Sequence, residues 1–165
     1  ALLDARSRLH PRMLSLDTHL ADESATLALG AALSQALEPG LSIHLRGDLG
    51  AGKTTLVRGV LRGLGWQGRV KSPSYTLLEL YEVSRLVLHH FDFYRFHDPR
   101  EWTDAGFREA FNGRSVSLIE WPEKAGDLLP AADVEIALES SGSGRNASLR
   151  SSSGFSACSI LPTRA

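Results

Sequence analysis

The chain has 165 residues, a formal net charge of −1 and a hydrophobic fraction of 42%, enough apolar content for one domain with a real core and too little positive charge for a strong independent nucleic-acid binder. A single cysteine, Cys158, excludes an internal disulfide framework and suits a reducing cytoplasm. No apolar run approaches the ~18 residues of a membrane span.

Residues 1–12 carry Arg6, Arg8 and Arg12 against Asp4 alone and read as a disordered extension, with a compact domain over 13–150 and a flexible tail over 151–165. Leu14 to Leu16 is expected as a short first strand. Asp22-Glu23-Ser24 then open a helix with Leu27, Leu29, Ala32, Leu33, Ala36 and Leu37 as its apolar positions, and Pro39-Gly40 is expected to stop it. The next strand, Leu41 to Leu45, runs into Gly47-Asp48-Leu49-Gly50-Ala51-Gly52-Lys53-Thr54-Thr55, an unbroken GxxxxGK[ST] pattern.

The residue types suit phosphate binding. Glycines at 47, 50 and 52 let backbone N–H groups turn inward around an anion, where a Cβ would intrude. Lys53 brings a point charge to the β- and γ-phosphates, Thr54 a hydroxyl for Mg²⁺, and the following helix points its positive end at the same place. Leu56, Val57, Val60, Leu61 and Leu64 form that helix's buried face. The chain is therefore expected to bind a nucleotide.

Gly63, Gly65 and Gly68 break the chain around Trp66. Ser72-Pro73-Ser74-Tyr75-Thr76 is rich in hydroxyls and barred by Pro73 from a regular central strand, so it reads either as a nucleotide-sensing switch or as a plain turn. Leu77 to Tyr81 and Leu86 to Phe91 form two strands joined through Ser84 and Arg85, too close for a crossover helix and so antiparallel. Asp92 follows, either orienting an attacking or metal-bound water or lying in a solvated turn. His89 and His90 lack a second ligand pair and are read as strand residues. Asp98-Pro99-Arg100-Glu101 opens a short helix with Trp102, Phe107 and Phe111 as its packing face. Val116 to Ile119 is a short buried strand ending in Glu120, which is either the second acid a phosphate site needs or an ordinary strand-end glutamate. Ala131 to Leu138 forms another strand. From Ser140 to Ser153 the chain is rich in Ser, Gly and Arg, with one weak strand expected at Ala147 to Arg150.

The order β-α-β-loop-α followed by strands implies a three-layer α/β P-loop fold, its central sheet mainly parallel with antiparallel additions and the nucleotide at the carboxyl ends of the strands. The set of motifs resembles the bacterial TsaE (YjeE) family of P-loop ATPases. The matching stretches are Asp22-Glu23 with Thr26, GDLGAGKTTLVRG at 47–59, VKSPSYTL at 70–77, HFDFYR at 90–95, IEWPEK at 119–124 and LLPAADVEI at 128–136.

That resemblance implies ATP and Mg²⁺ as cofactors. It implies that Asp48, Leu49, Gly50, Ala51, Gly52, Lys53, Thr54 and Thr55 cradle the phosphates, that Thr54 and Glu120 hold the metal, and that Asp92, Glu120 and Lys53 carry hydrolysis. Ser72, Ser74, Tyr75 and Thr76 would be the switch, with Ser74 where the family more often has Thr. Tyr94 and Trp121 would stand beside the site, and Glu23 and Arg145 near the adenine. The family's role is threonylcarbamoyl modification of adenosine 37 in tRNAs reading ANN codons. The implied protein is a cytoplasmic ATPase, weak alone, that resets a TsaB–TsaD partner pair and meets tRNA only through it. Residues 1–12 and the chain beyond about Ser140 depart from the family pattern.

Three other readings stay open at this point. A small-molecule P-loop kinase would need an acceptor pocket and an Arg-rich lid, for which only Arg145 and Arg150 are at hand. A guanine-nucleotide switch lacks an NKxD-like stretch. A non-hydrolysing sensor would follow if Glu120 and Asp92 stood away from the metal.

Overall fold

A computed structural model describes residues 14–73, 75–98, 100–101 and 106–151. The expected extension at 1–12, Ser74, Trp102, Cys158 and the tail beyond Ser151 lie outside the described residues. Among the described residues the main elements follow in the order β1 (Leu14–Leu20), α1 (Glu23–Ser34), β2 (Ser42–Arg46), α2 (Lys53–Gly63), β3 (Leu78–Val83), β4 (Leu86–Asp92), β5 (Val116–Glu120), β6 (Val134–Ser141) and β7 (Gly144–Ser151).

The strands make one sheet in the order β1-β7-β6-β2-β5-β4-β3. Its centre is parallel, β2 lying between β5 and β6 and β5 beside β4. Both wings are antiparallel, β3 on β4 at one edge and β6-β7-β1 at the other. This is the expected mixed α/β architecture. β2 is buried along four of its five residues, as a central strand covered on both faces must be.

Both helices pack together on one face. Asp22 caps α1 by accepting the Ala25 N–H at 2.8 Å. The helix ends at Ser34, ahead of the expected Pro39-Gly40 stop. Those two residues shape the entry to β2 instead, Gly40 turning at φ 91 and donating its N–H to the Ser115 carbonyl. Where α1 crosses α2 the backbones nearly touch: a Cβ on Gly30 would lie 2.5 Å from the Leu56 carbonyl oxygen, and one on Gly59 2.4 Å from that of Leu27. Around this crossing Leu33, Leu56, Val57, Val60 and Leu61 are buried against Ile43, Leu45, Leu88 and Leu118 of the sheet.

The opposite face is covered by a second cluster of Phe91, Phe93, Phe96, Phe107, Ile119 and Ala125. Phe107 and Phe111 do pack as expected, each against Phe91, but from a 3₁₀ turn at Phe107–Ala110. That layer is completed by further single turns at Pro122–Lys124 and Gly126–Leu128.

Several strands are longer than their apolar runs. β1 extends to Leu20 because β7 pairs with it along its whole length. β3 runs to Val83, its turn made by Ser84 and Arg85 at φ 52 and 63, the left-handed pair that a two-residue hairpin needs. The weak strand expected near Ala147 is an eight-residue strand flanked on both sides. Among the described residues no helix is long and apolar enough to cross a membrane.

Candidate functional site

Three parallel strands finish side by side, and the register sets Leu45 opposite Glu120 and Glu120 opposite Asp92. The glycine-rich loop leaves β2 at this edge and delivers α2. Gly50 and Gly52 take φ 77 and 103, backbone angles that side chains resist, and Gly52 forms the N-cap. A cavity of about 380 Å³ opens here. Its walls are Leu49 to Thr55 with Ser72, Asp92, Tyr94, Arg95, Glu120, Trp121 and Arg145.

Lys53 is 4% exposed. Its Nζ donates to the Gly47 carbonyl and, at 3.0 Å, to that of Asp48, and lies 4.3 Å above the centre of the Trp121 ring. Burial lowers its pKa, against the opposing pull of Glu120, Asp92, Glu123 and Asp48. The Thr54 hydroxyl donates to the Glu120 carboxylate, 3.1 and 3.2 Å from its two oxygens. Glu120, 3% exposed, also meets the His90 Nε2 at 2.6 Å. Asp92, at the end of β4, has its pKa raised by burial and by the Glu120 charge, while the Tyr94 N–H it accepts at 2.9 Å pulls the other way.

Trp121 turns the chain with φ 57, an unusual angle for a bulky residue and one that clusters at functional sites. The turn lays its indole between Lys53 and the Tyr94 ring, whose centre is 5.0 Å away. From the far wing comes Arg145, the second residue of β7. Its guanidinium fills the space above Gly52 so fully that a Cβ there would stand 1.6 Å from Nη1. Nη1 is buried and makes no hydrogen bond among the described residues. A donor of this kind, beside the positive end of α2, wants an anion.

The structure thus gathers Leu49 to Thr55, Asp92, Tyr94, Glu120, Trp121 and Arg145 around one cavity. Asp48 is not among the lining residues; its carbonyl accepts from the Lys53 Nζ and from the Ala51 N–H. Glu23 is not among the lining residues and faces Arg58 at 3.6 Å. Of the expected switch, Ser72 reaches the cavity, Tyr75 is 86% exposed with the Arg95 guanidinium 4.8 Å from its ring, and Thr76 bonds Glu79. Arg150, the other candidate lid residue, is held by Ser15 and Asp17 on the sheet surface. Sequence reasoning passes over His90 and Arg95. For His90 the usable signal is strand alternation, which sets it on the same face as Asp92. Thr54, Glu120 and Asp92 supply oxygen donors only, the set that suits a small hard cation sharing phosphate and water ligands.

Comparison with known proteins gives a consistent result. A family model described as threonylcarbamoyl adenosine biosynthesis protein TsaE matches residues 20–147. The chain is 44% identical to the tRNA threonylcarbamoyladenosine biosynthesis protein TsaE of Haemophilus influenzae over 142 residues, 83% of this chain and 90% of that one. It is 35% identical to the Bacillus subtilis protein of the same name over 130 residues, 79% and 81% of the two chains. Among solved structures it is similar to that of Bacillus subtilis YdiB, with a TM-score of 0.69 and 28% identity over 84% of this chain and 86% of that one.

Proposed function

The chain belongs to the TsaE family, and from that premise we propose that it is a Mg²⁺-dependent ATPase of tRNA threonylcarbamoyladenosine synthesis that binds and resets a TsaB–TsaD pair. The observation that carries this reading is the Thr54–Glu120 hydrogen bond at the mouth of the phosphate loop. It joins the loop hydroxyl and the strand-end acid that a P-loop site uses around its metal. The cavity beside the loop, the Arg145 Nη1 that makes no hydrogen bond among the described residues and the all-oxygen donor set fit MgATP.

ATP supplies the phosphoryl group that is lost to water. The residues would act as follows. N–H groups from Gly50 to Thr55 bind the phosphate oxygens, with Lys53 exchanging the Gly47 and Asp48 carbonyls for phosphate. Thr54 and Glu120 hold the metal. Asp92, its carboxyl raised by burial, orients the attacking water and accepts its proton. Arg145 binds on the nucleotide side of Gly52. Tyr94 and Arg95 line the site and the exposed Tyr75 lies against Arg95, where contact with a partner would order the switch and raise a slow intrinsic rate. The near-neutral chain charge agrees with a protein partner, tRNA being met through the complex, and the reading sets the protein in the cytoplasm.

The test is Mg²⁺-dependent ATP hydrolysis by the full chain with and without purified TsaB and TsaD, beside Lys53→Ala and Glu120→Ala. Slow turnover that rises with the partners, supports tRNA modification and vanishes in both variants is the expected outcome. Turnover indifferent to the partners, or phosphate moved to a small acceptor, would replace this reading with that of a kinase.

A further inference from the structure

One residue packed behind the cavity wall has no role in that scheme. His90 lies on β4 two residues before Asp92, so both side chains leave the same face of the strand. Register sets His90 opposite Leu118, which makes Glu120 its diagonal neighbour across the parallel pair. The ring is fully buried, with Nε2 2.6 Å from Oε2 of Glu120. An ionised carboxylate can only accept, so Nε2 carries the hydrogen. Nδ1, equally buried, makes no hydrogen bond among the described residues.

Core packing alone would not choose this side chain. An imidazole with one ring nitrogen unsatisfied is a poor filler beside Leu88 and Leu118, where an aliphatic residue would carry no polar cost. Its one directed contact falls on the acid of the phosphate site. Of the Glu120 oxygens, Oε2 takes the short His90 bond and also lies 3.1 Å from the Thr54 hydroxyl, while Oε1 meets that hydroxyl at 3.2 Å and has no contact with the ring. The ring therefore fixes the rotation of the carboxylate about its terminal bond. It leaves Oε1 clear of the ring, beside the Thr54 hydroxyl of α2's first turn.

We propose that His90 is a positioning residue that orients Glu120 and thereby sets the site's affinity for the divalent cation, not for the nucleotide. This rests on the metal-dependent reading of the site given above. Outer partners that orient a metal-binding carboxylate typically cost about 10–100-fold in metal affinity when lost.

The experiment is calorimetric titration of ATP into the full-length protein with Mg²⁺ and with EDTA, for wild type, His90→Leu, His90→Gln, Glu120→Ala and the double variant His90→Leu/Glu120→Ala. The inference expects His90→Leu to reduce the tightening caused by Mg²⁺ by about 10–100-fold while binding in EDTA stays as in wild type. Glutamine, whose amide N–H reaches a similar point, should recover most of the loss. In the Glu120→Ala background, His90→Leu should add nothing. Equal losses with and without Mg²⁺, an undiminished Mg²⁺ effect, or glutamine no better than leucine would each overturn it. Should His90→Leu fail to fold, His90→Asn takes its place, polar but too short to reach Glu120, with the same outcomes. A wild type that gains nothing from Mg²⁺ would refute the parent reading of the site and this inference with it; a wild type that gains while His90→Leu matches it refutes the inference alone.

Discussion

Replacing Gly30 with alanine sets two effects of opposite sign against each other at the α1–α2 crossing. Alanine is the better helix former by about 1 kcal/mol, and on an exposed helix the change would stabilise. At Gly30, however, the new Cβ would meet three backbone atoms, Leu56 O at 2.5 Å, Val60 N at 2.8 Å and Gly59 C at 2.9 Å. Backbone cannot rotate away as a side chain can, so α2 must retreat by on the order of 1 Å, and a gap of that size forfeits a quarter to a half of each contact it opens. The contacts at stake belong to Leu33, Leu56, Val60 and Leu61, all at most 1% exposed. Overpacking costs about 1–3 kcal/mol, here at the upper end because the obstacle is main chain. Net destabilisation of about 2 kcal/mol follows, roughly 4–8 °C in Tm for a domain of this size. Urea and thermal unfolding followed by tryptophan fluorescence read it directly. Nucleotide affinity should fall too, because α2 carries Thr54 away from Glu120. Gly59→Ala strains the same crossing, so the double variant should lose less than the two singles together. A Gly30→Ala protein as stable as wild type would refute the claim that close approach, and not helix propensity, governs this position.

Asp92→Asn should abolish hydrolysis by at least about 10²-fold, the usual share of a general base, and leave the free protein more stable at neutral pH; a less stable variant would show that the carboxylate is held favourably, against the burial that raises its pKa. Gly52→Ala should cost nucleotide affinity above all, by strain at φ 103 and by displacing Arg145, and binding unchanged within a factor of about two would remove Arg145 from the site. Burial lowers the pKa of His44 and His89 below the ordinary imidazole value of 6.5. Below that value the unfolded chain binds protons that the folded one refuses, so unfolding free energy should be level near pH 7.5 and decline as pH drops through 6.5 and below. Urea titrations at pH 7.5, 6.5 and 5.5 test this, and His44→Leu/His89→Leu should flatten the profile.

The residues that speak in local patterns are legible in the amino-acid sequence alone. The phosphate loop announces itself through spaced glycines and Lys53, whereas the place of Glu120 and Asp92 after apolar runs leaves each with two readings, between which the family resemblance chooses. What is not legible there depends on pairing across the chain. β7 has the sequence GRNASLRS, with small polar residues of low β-propensity, and it is a strand because β1 and β6 hold it on both sides. The same pairing brings Arg145 to Gly52, a contact that no local periodicity encodes. His90 reads as any strand histidine; only the β4–β5 register sets it diagonally from Glu120. On the far face, Arg100 and Glu101 are helical as expected, but Phe107 and Phe111 are not carried on that helix: Gly106 turns at φ 68 and the chain after it closes one 3₁₀ turn.

The pairing of β1 with β7 also bears on how the protein is made. His19 and Asn146 hydrogen-bond across 127 positions of sequence, so the first described strand leaves the ribosome and waits for its neighbour. At about 5–20 residues per second that wait is on the order of ten seconds, during which β1 has no sheet to join and the phosphate loop has no guanidinium above it. A nascent chain can pair β2, β5 and β4 early, but Arg145 reaches Gly52 only when the β6–β7 hairpin arrives. The cavity wall at Gly52 is thus finished late, and a chain cut short before β7 would be frayed at its β1 edge and open above the loop.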